Sequence, residues 1–491
     1  MNKMSFQDLV KGQYGRKVAY ANVDVVDESN ILSVLAKCIG TFNYNKTIIK
    51  YLWDYKNGDQ PIRYREKTIR DDIKNTVVEN HAWEIVRFKN GQTYGEPIQI
   101  ISLVNDEKIN KTVELLNRYL MVGANKQKYD IDSGEWTSAV GTGYKAILKT
   151  NDANMPFKIV VPTPMNTFII YSSITGERLL SVQELKDEND VRYYSCFSKD
   201  REFKVQNSKL LPYIIDNHVV YSRKHFFGDI PIVEYPNNQS RISDIELVID
   251  LLDAINNMQS NRMDSIEQFV QSWVKFINCE IDAETFQQMK MSGALVVKSN
   301  NGSDNKADVD IMTQELNQTQ AQVAKDDLMN NMLSISAIPN KQGNTGGDTQ
   351  GAVELRNGWD FSKQAARLKD PYIIEGEKQL CELAINLIQL EKGSEYMNLS
   401  PIDYKVQITH SPQDNMQVKA QVFQMLVSSG IHPLIAIETC GLWGDAEKVF
   451  LMSKPYLDVL HKTIDDVVAD ADTQRAKAQE LVNKNNEGNQ Q

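Results

Sequence analysis

The chain is 491 residues long, more than one hydrophobic core organises, so roughly two to four structural regions are expected. Its 65 acidic against 54 basic residues leave a net charge of -11, which excludes a protein that holds nucleic acid by bulk positive charge. Hydrophobic residues at 41% and charged residues at 24% are ordinary for a folded soluble chain.

The opening "MNKMSFQDLVKGQYGRK" lacks the continuous apolar run of a signal peptide, and the most apolar later segment, "LCELAINLIQL", is broken by Glu382 and Asn386, so no membrane span is expected. Residues 28–56 and 64–75 carry apolar residues at helical spacing. Next, "HAWEIVRFKNGQTYGEPIQI" (81–100) is rich in β-type residues, and Asn90-Gly91 predicts a turn between strands. A helix is predicted from Asp106 to Leu120. From Trp136 to Pro236 short strands follow one another, among them "KAILK", "KIVVP", "TFIIYSS", "VRYYSCFS" and "HVVYS". Helices mixed with a mostly antiparallel sheet make the fold class α+β.

At Ser243 the pattern changes. Ser243 and Glu246 form an S-x-x-E capping box, and Ile245, Val248, Leu252, Ile255 and Met258 recur at three- and four-residue steps. A helix over 244–272 would be roughly 40 Å long at about 1.5 Å per residue. Residues 275–313 return to short strands around the polar turn "SNNGSDNKAD", as an insert at the tip of a helical hairpin would. The return helix, about 314–337, is rich in Gln and Asn and thin in large apolar residues, so it suits sister helices in a ring or a wet channel better than a closed core. After a glycine-rich loop, a third helix is predicted from about Ala352 to Lys392 with a kink near 367–371, because Pro371 removes a backbone donor and clashes with the preceding turn. Residues 402–410 alternate as a strand. Helices over 413–481 are broken at Gly430–Pro433 and at Cys440–Gly444, and the tail "NKNNEGNQQ" reads as disordered.

Chemistry-bearing motifs are sparse. The loop "PNKQGNTGGDTQG" (339–351) is not a P-loop, since Ala352 and Val353 stand where Lys and Ser or Thr are needed. It is either a flexible linker or a loop that reaches into a cavity with Lys341, Gln342, Asn344, Thr345, Asp348 and Gln350. "GTGYK" (141–145) lacks the third glycine of a dinucleotide fingerprint and predicts a turn before a strand. Five cysteines, Cys38, Cys196, Cys279, Cys381 and Cys440, are far apart and without a C-x-x-C pair, which predicts a reduced intracellular chain with no disulfide frame and no thiolate zinc site. His81, His218, His225, His410, His432 and His461 have no metal-ligand spacing. The neighbouring carboxylates Asp326-Asp327 and Asp465-Asp466 diverge by about 100° on a helix and read as solvated faces. No nucleophile or metalloenzyme signature is present, so no catalytic residue, metal or cofactor is expected.

Taken in order, "YLWDYKNGDQPI" (51–62), "IVRFKNGQTYGEPIQI" (85–100), "GTGYKAIL" (141–148), "HFFGDIPIVEYPNN" (225–238), "SDIELVIDLLDAINNMQSNRMDSIEQF" (243–269) and the glycine loop resemble the portal proteins of tailed double-stranded-DNA bacteriophages, in the siphophage-type branch. The resemblance covers most of residues 40–400. Residues 411–491 share only their helical character with it.

The resemblance implies a portal-like fold. Residues 1–240, completed by 365–410, would be an α/β wing, 241–272 and 314–338 the two stem helices, and 273–313 a small α/β clip. Residues 339–351 would be the tunnel loop, 352–400 a long kinked helix running into the wing, and 411–491 a helical crown. It implies a homododecameric ring at one capsid vertex of the virion, made in the host cytoplasm, which passes double-stranded DNA in packaging, retention and ejection without reading its sequence. The implied partners are the major capsid protein and scaffold, the terminase and the head-tail adaptor, with no membrane.

The implied DNA-contacting residues are Lys341, Gln342, Asn344, Thr345, Gly346, Gly347, Asp348 and Gln350, with Gln322, Lys325 and Asp326 lining the channel in the stem and Pro371 at the helix kink. A conduit must not trap its cargo, and the stem acids Asp250, Asp253, Asp264, Asp326 and Asp327 outnumber Arg262 and Lys325. The alternatives are a packaging-motor or nuclease subunit, which would need a Walker lysine or a carboxylate cluster, and a non-channel virion structural protein.

Overall fold

The computed structural model describes residues 5–68, 71–104, 106–215, 218–270, 273–277, 284, 287, 308–312, 318–340, 358–410, 416–440 and 446–460. The chain divides into two compact units, 1–410 and 411–491.

The first unit begins with α1 (Phe6–Val10), β1 (Ala19–Ala21), α2 (Ile31–Lys56), α3 (His81–Tyr94), β2 (Gln99–Ser102), α4 (Glu107–Asn117) and α5 (Lys126–Val140). The strands then follow as β3 (Thr142–Lys149), β4 (Phe157–Val160), β5 (Thr167–Ser172), β6 (Arg178–Lys186), β7 (Arg192–Phe197), β8 (Arg201–Gln206), β9 (Lys209–Leu210), β10 (Tyr213–Ile215), β11 (His218–Val220), β12 (Arg223–Lys224) and β13 (Ile232–Pro236). Next come α6 (Ile249–Val270), β14 (Trp273–Ile277), β15 (Asp308–Met312), α7 (Gln318–Ile335), α8 (Trp359–Arg367), α9 (Asp370–Lys392) and β16 (Tyr404–Gln407). Helices and strands thus mix as an α+β fold.

The largest sheet runs β1-β5-β6-β7-β8-β12 with β9 against β8, and every pairing except parallel β1–β5 is antiparallel. A second sheet, β13-β3-β4, packs against α9 through Ile147, Phe157, Val233, Leu380 and Ala384. β16 pairs antiparallel with β2, joining residues about 300 positions apart in sequence. A separate core gathers α1, α2, α3, α5 and the root of α6, with Trp53 stacked on Trp136 at 3.5 Å between ring centroids. Apolar burial of this kind is the main favourable term in holding the layers together.

Three expectations are corrected. Residues 81–94 form a helix, not strands around an Asn90-Gly91 turn. Asn80 caps it by accepting from the Trp83 N–H, and Ala82, Ile85, Val86, Lys89 and Thr93 turn inward at helical spacing. The β-rich composition misleads here because burial on one face outweighs propensity. The helix expected over 64–75 is not seen among the described residues: a 3-10 turn ends at Tyr64, and the described part of the stretch beyond it is irregular. The third helix is broken rather than kinked. α8 ends at Arg367 and α9 starts at Asp370, with Pro371 in its first turn, where a missing N–H leaves no bond unmade.

The helix α5 had no counterpart among the predicted elements. Its Gly134 lies against Asn90 and Tyr94 of α3, where a Cβ would come within 2.3 Å of the Asn90 Oδ1. Gly141, with φ +88, ends α5 and turns the chain into β3, as expected of "GTGYK"; a Cβ there would meet the Arg241 carbonyl oxygen at 2.0 Å.

In the second unit, α10 (Met416–Ser428) and α11 (Pro433–Cys440) are separated by Gly430 in the left-handed region, followed by α12 (Ala446–Leu460). Of the break expected at Cys440–Gly444, α11 ends at Cys440 and the rest lies outside the described residues, as does the tail 483–491. Cys38, Cys196, Cys381 and Cys440 are buried and free; Cys279 lies outside the described residues.

Candidate functional site

The long polar hairpin expected to face a channel is present as α6 and α7. They run antiparallel, since Arg262 donates to the Gln322 Oε1 at 2.8 Å and Lys325 Nζ donates to the Gln259 Oε1 at 3.2 Å. At the root, Met329, Met332 and Leu333 pack with Ile249 and Leu252. At the other end β14 and β15 pair antiparallel, from Trp273 opposite Met312 to Ile277 opposite Asp308.

Ser243 and Glu246 start this arm as a capping box with further duties. The Ser243 N–H donates to the Glu246 carboxylate at 2.8 Å, and the Ile245 N–H donates to the Ser243 hydroxyl at 3.2 Å. Glu246 also pairs with Arg16, both side chains buried, which fixes the amino-terminal segment to the arm.

One face of α6 is a polar stripe zipped to residues 55–79. Asp253 accepts from the Tyr55 hydroxyl at 2.8 Å, and Asn256 accepts from the Glu79 N–H at 2.8 Å. Ser260 accepts from the Val77 N–H at 2.9 Å. Asp264 accepts from the Asn75 N–H at 2.7 Å and from Lys67 Nζ at 2.9 Å, and Glu267 accepts from Asn75 Nδ2 at 2.9 Å. Burial works against the Asp264 charge, but the Asn75 N–H and the Lys67 ammonium hold its carboxyl below the ordinary range. The spacing of 253, 256, 260, 264 and 267 puts these groups on one face. In the sequence Asp253 and Asp264 read only as acids of the stem, and the stripe they belong to was not singled out. Asp253 is tied to α2 and Asp264 to the irregular segment after it, where Lys67 and Arg65 offset its charge, so the negative balance of the stem is smaller than a count of acids implies.

On α7, Lys325 turns toward the body. It donates to Glu79 at 2.6 Å and its side chain is 18% exposed. Glu79 also meets His81, whose other ring nitrogen meets Glu84. Hydrogen bonds that the His81 ring donates to Glu79 and Glu84 outweigh burial and raise its pKa. Gln322, Asp326, Asp327 and Asn330 are exposed, and Gln322 Nε2 donates to Asp326 at 2.8 Å. Lys325 is the only cation in the helix, so its exposed face carries none.

The residues of the glycine loop, Lys341, Gln342, Asn344, Thr345, Gly346, Gly347, Asp348 and Gln350, lie outside the described residues. The nearest described segments on either side, ending at 340 and resuming at 358, both rest on α3. On one side Lys89 Nζ donates to the Ala337 carbonyl at 3.4 Å, and burial lowers the Lys89 pKa to about 8. On the other side Gln92 donates to the Ser362 hydroxyl at 3.1 Å and Trp359 lies 6.1 Å from Phe88. Lys369 then clamps Asp244 at 2.7 and 2.8 Å, tying the start of α9 to the foot of the arm. Sequence reasoning missed this anchoring role of α3.

Among the described residues no cluster of His, Cys, Asp or Glu is arranged to hold a metal ion, and no helix is long and apolar enough to cross a membrane.

Residues 35–436 match the family of phage portal proteins of the SPP1 Gp6-like type, a span that includes α6, α7 and the glycine loop. The chain belongs to the phage portal protein family. A relative in this family is the portal protein of Bacillus phage SPP1, 22% identical over 306 residues, a match covering 57% of this chain and 57% of that one. The match thus spans less than two thirds of that portal's length. Among solved structures, the neck of an empty gene transfer agent particle resembles the chain with a TM-score of 0.44 at 10% identity, over 74% of this chain and 90% of the other. The virion of the native gene transfer agent particle gives 0.40 at 10% identity, over 74% and 89%. Likeness at that level carries no structural argument.

Proposed function

We propose that this protein is the subunit of a portal ring, a conduit for double-stranded DNA at one vertex of a capsid. The observation that carries the reading is the exposed face of α7, with Gln322, Asp326, Asp327 and Asn330 outward and its only lysine withdrawn onto Glu79. Such a face passes a polyanion without the multiple phosphate contacts that would hold it. Val323 and Ile335 on the same helix and Met263 and Ile266 on α6 are exposed in the single chain, and sister arms in a ring would cover them.

In this reading residues 1–240 with 365–410 form the wing, α6 and α7 the stem, 273–313 the clip, 339–351 the tunnel loop and 411–491 the crown. The ring is a homododecamer in the virion. It docks the terminase during packaging and the head-tail adaptor afterwards, with the major capsid protein and scaffold around it. It performs no catalysis of its own. Negative-stain imaging of the purified protein should show rings with a central hole. A compact monomer of 55.9 kDa at micromolar concentration would remove the reading.

The tunnel loop supplies a second test. Its glycines permit backbone angles that other residues resist, so copies around a ring could hold it at different heights, while Lys341 adds one positive charge per subunit. Replacing Gly346 and Gly347 by valine should leave ring assembly intact and sharply reduce packaged genome. Full-length packaging at the normal rate by that variant would make the segment a linker only.

A further inference from the structure

Between the β3–β4 end of the small sheet and the β8–β12 end of the large one lies an open groove of about 1010 Å³. Its charge opposes that of the chain. Among the described residues, Lys149, Lys158, Arg201, Arg223 and Lys224 line it against one carboxylate, Glu202, which is buried and already paired with Arg223. Lys149, Lys158 and Lys224 are exposed and make no ion pair among the described residues. The groove also has an apolar side. Leu148 stands opposite Lys158 in the β3–β4 register, and Phe226 is 66% exposed beside the aromatic group of Phe197, His225 and Phe227. Both β4 and β12 are outermost in their sheets, so the groove is bordered by strand edges.

We propose that this groove docks an acidic segment of a different protein, one that interleaves carboxylates with large apolar side chains. Lysines with no ion pair among the described residues, on a chain of net charge -11, call for carboxylates, and an exposed phenylalanine among them calls for an apolar neighbour, which a duplex phosphate backbone does not offer. Among the described residues, the acidic and apolar stretch 24–28 reaches the groove lining through Glu28 and is already fixed in place. Ser222 donates to Glu28 at 2.6 Å, and Asn30 Nδ2 donates to the Val25 carbonyl at 2.9 Å. The inference does not depend on the channel reading, because the groove lies in the sheet region and not in the arm.

The test uses the full chain and a fluorescent synthetic peptide in which Glu alternates with Leu and Phe, read by anisotropy. Saturable binding is expected, weakened about tenfold or more by the pair Lys149→Glu and Lys158→Glu, and several-fold by Phe226→Ser. A peptide with Gln in place of Glu should fail to bind. These side chains are exposed, so thermal melts of the variants should match the parent. Equal binding by the parent and both variants overturns the proposal, and so does displacement of the peptide by short duplex DNA at matched concentration. If the charge-reversed pair instead shifts the assembly state in mass photometry while the parent binds no peptide, the groove is covered by a second copy and the proposal is wrong.

Discussion

Glu377→Ala should destabilise the first unit by about 3–5 kcal/mol, the range for breaking a buried ion pair by removing one partner. Glu377 on α9 sits in a square of four charges with Lys126 and Asp130 of α5 and Lys145 of β3. Lys126 lies 2.8 Å from Glu377 and 2.5 Å from Asp130, and Lys145 lies 2.5 Å from Glu377 and also contacts Asp130. All four side chains are 0–2% exposed. Removing one carboxylate leaves two buried ammonium groups on the remaining one, with no water to take up the difference. Denaturant unfolding followed by tryptophan fluorescence measures the loss. A change under about 1 kcal/mol would mean that the square is wetter than its geometry shows.

The same group makes an acid prediction. Burial pushes the Glu377 carboxyl up, but the Lys126 and Lys145 ammonium groups prevail and hold it at about 2, below its ordinary 4.5. A carboxylate depressed in the folded state stabilises fully above its unfolded pKa, and that contribution is lost as pH falls through the folded value. Stability of the parent should therefore decline from about pH 4.5 towards pH 2, and Glu377→Gln should flatten the Glu377 part of that slope. An unchanged slope in the variant would assign the acid sensitivity elsewhere.

With α7 lining a channel as proposed, Asp326→Lys with Asp327→Lys should turn its exposed face into a DNA trap. Each lysine that meets a phosphate adds about 0.9 to the salt slope of binding, so with six or more engaged around a ring the affinity would fall about a thousandfold between 50 and 200 mM salt. The parent ring should bind duplex weakly at both. In packaging assays the lysine variant should stall with partly filled heads, while Asp326→Asn with Asp327→Asn should behave nearly as the parent. Both residues are exposed on α7, so folding should be unaffected. Normal packaging by the lysine variant would show that this face of α7 does not meet the DNA.

Legibility in the sequence followed the range of the interaction. The apolar steps at 245, 248, 252 and 255, all buried, marked α6 and the turn that leads into it because the side chains that share a helix face are three or four positions apart. Strands β3, β5 and β7 were legible in the same way. Residues 81–94 were not, because their β-rich composition competes with a helical burial pattern that exists only once α5 and α6 supply the buried side.

The sequence by itself determined the α+β class, the polar helical hairpin with its tip insert and, through the order of its motifs, the portal family. These are carried by local periodicity and composition, which need no knowledge of where distant residues lie. The tertiary structure alone decided which charges are spent. Asp264 closes on Lys67 across 197 positions, Glu377 on Lys145 across 232 and Lys325 on Glu79 across 246. An acid that looks like channel lining and an acid that anchors a loop are the same letter in the chain. They differ only in whether burial and a distant partner replace water around the charge, and folding alone brings such partners together.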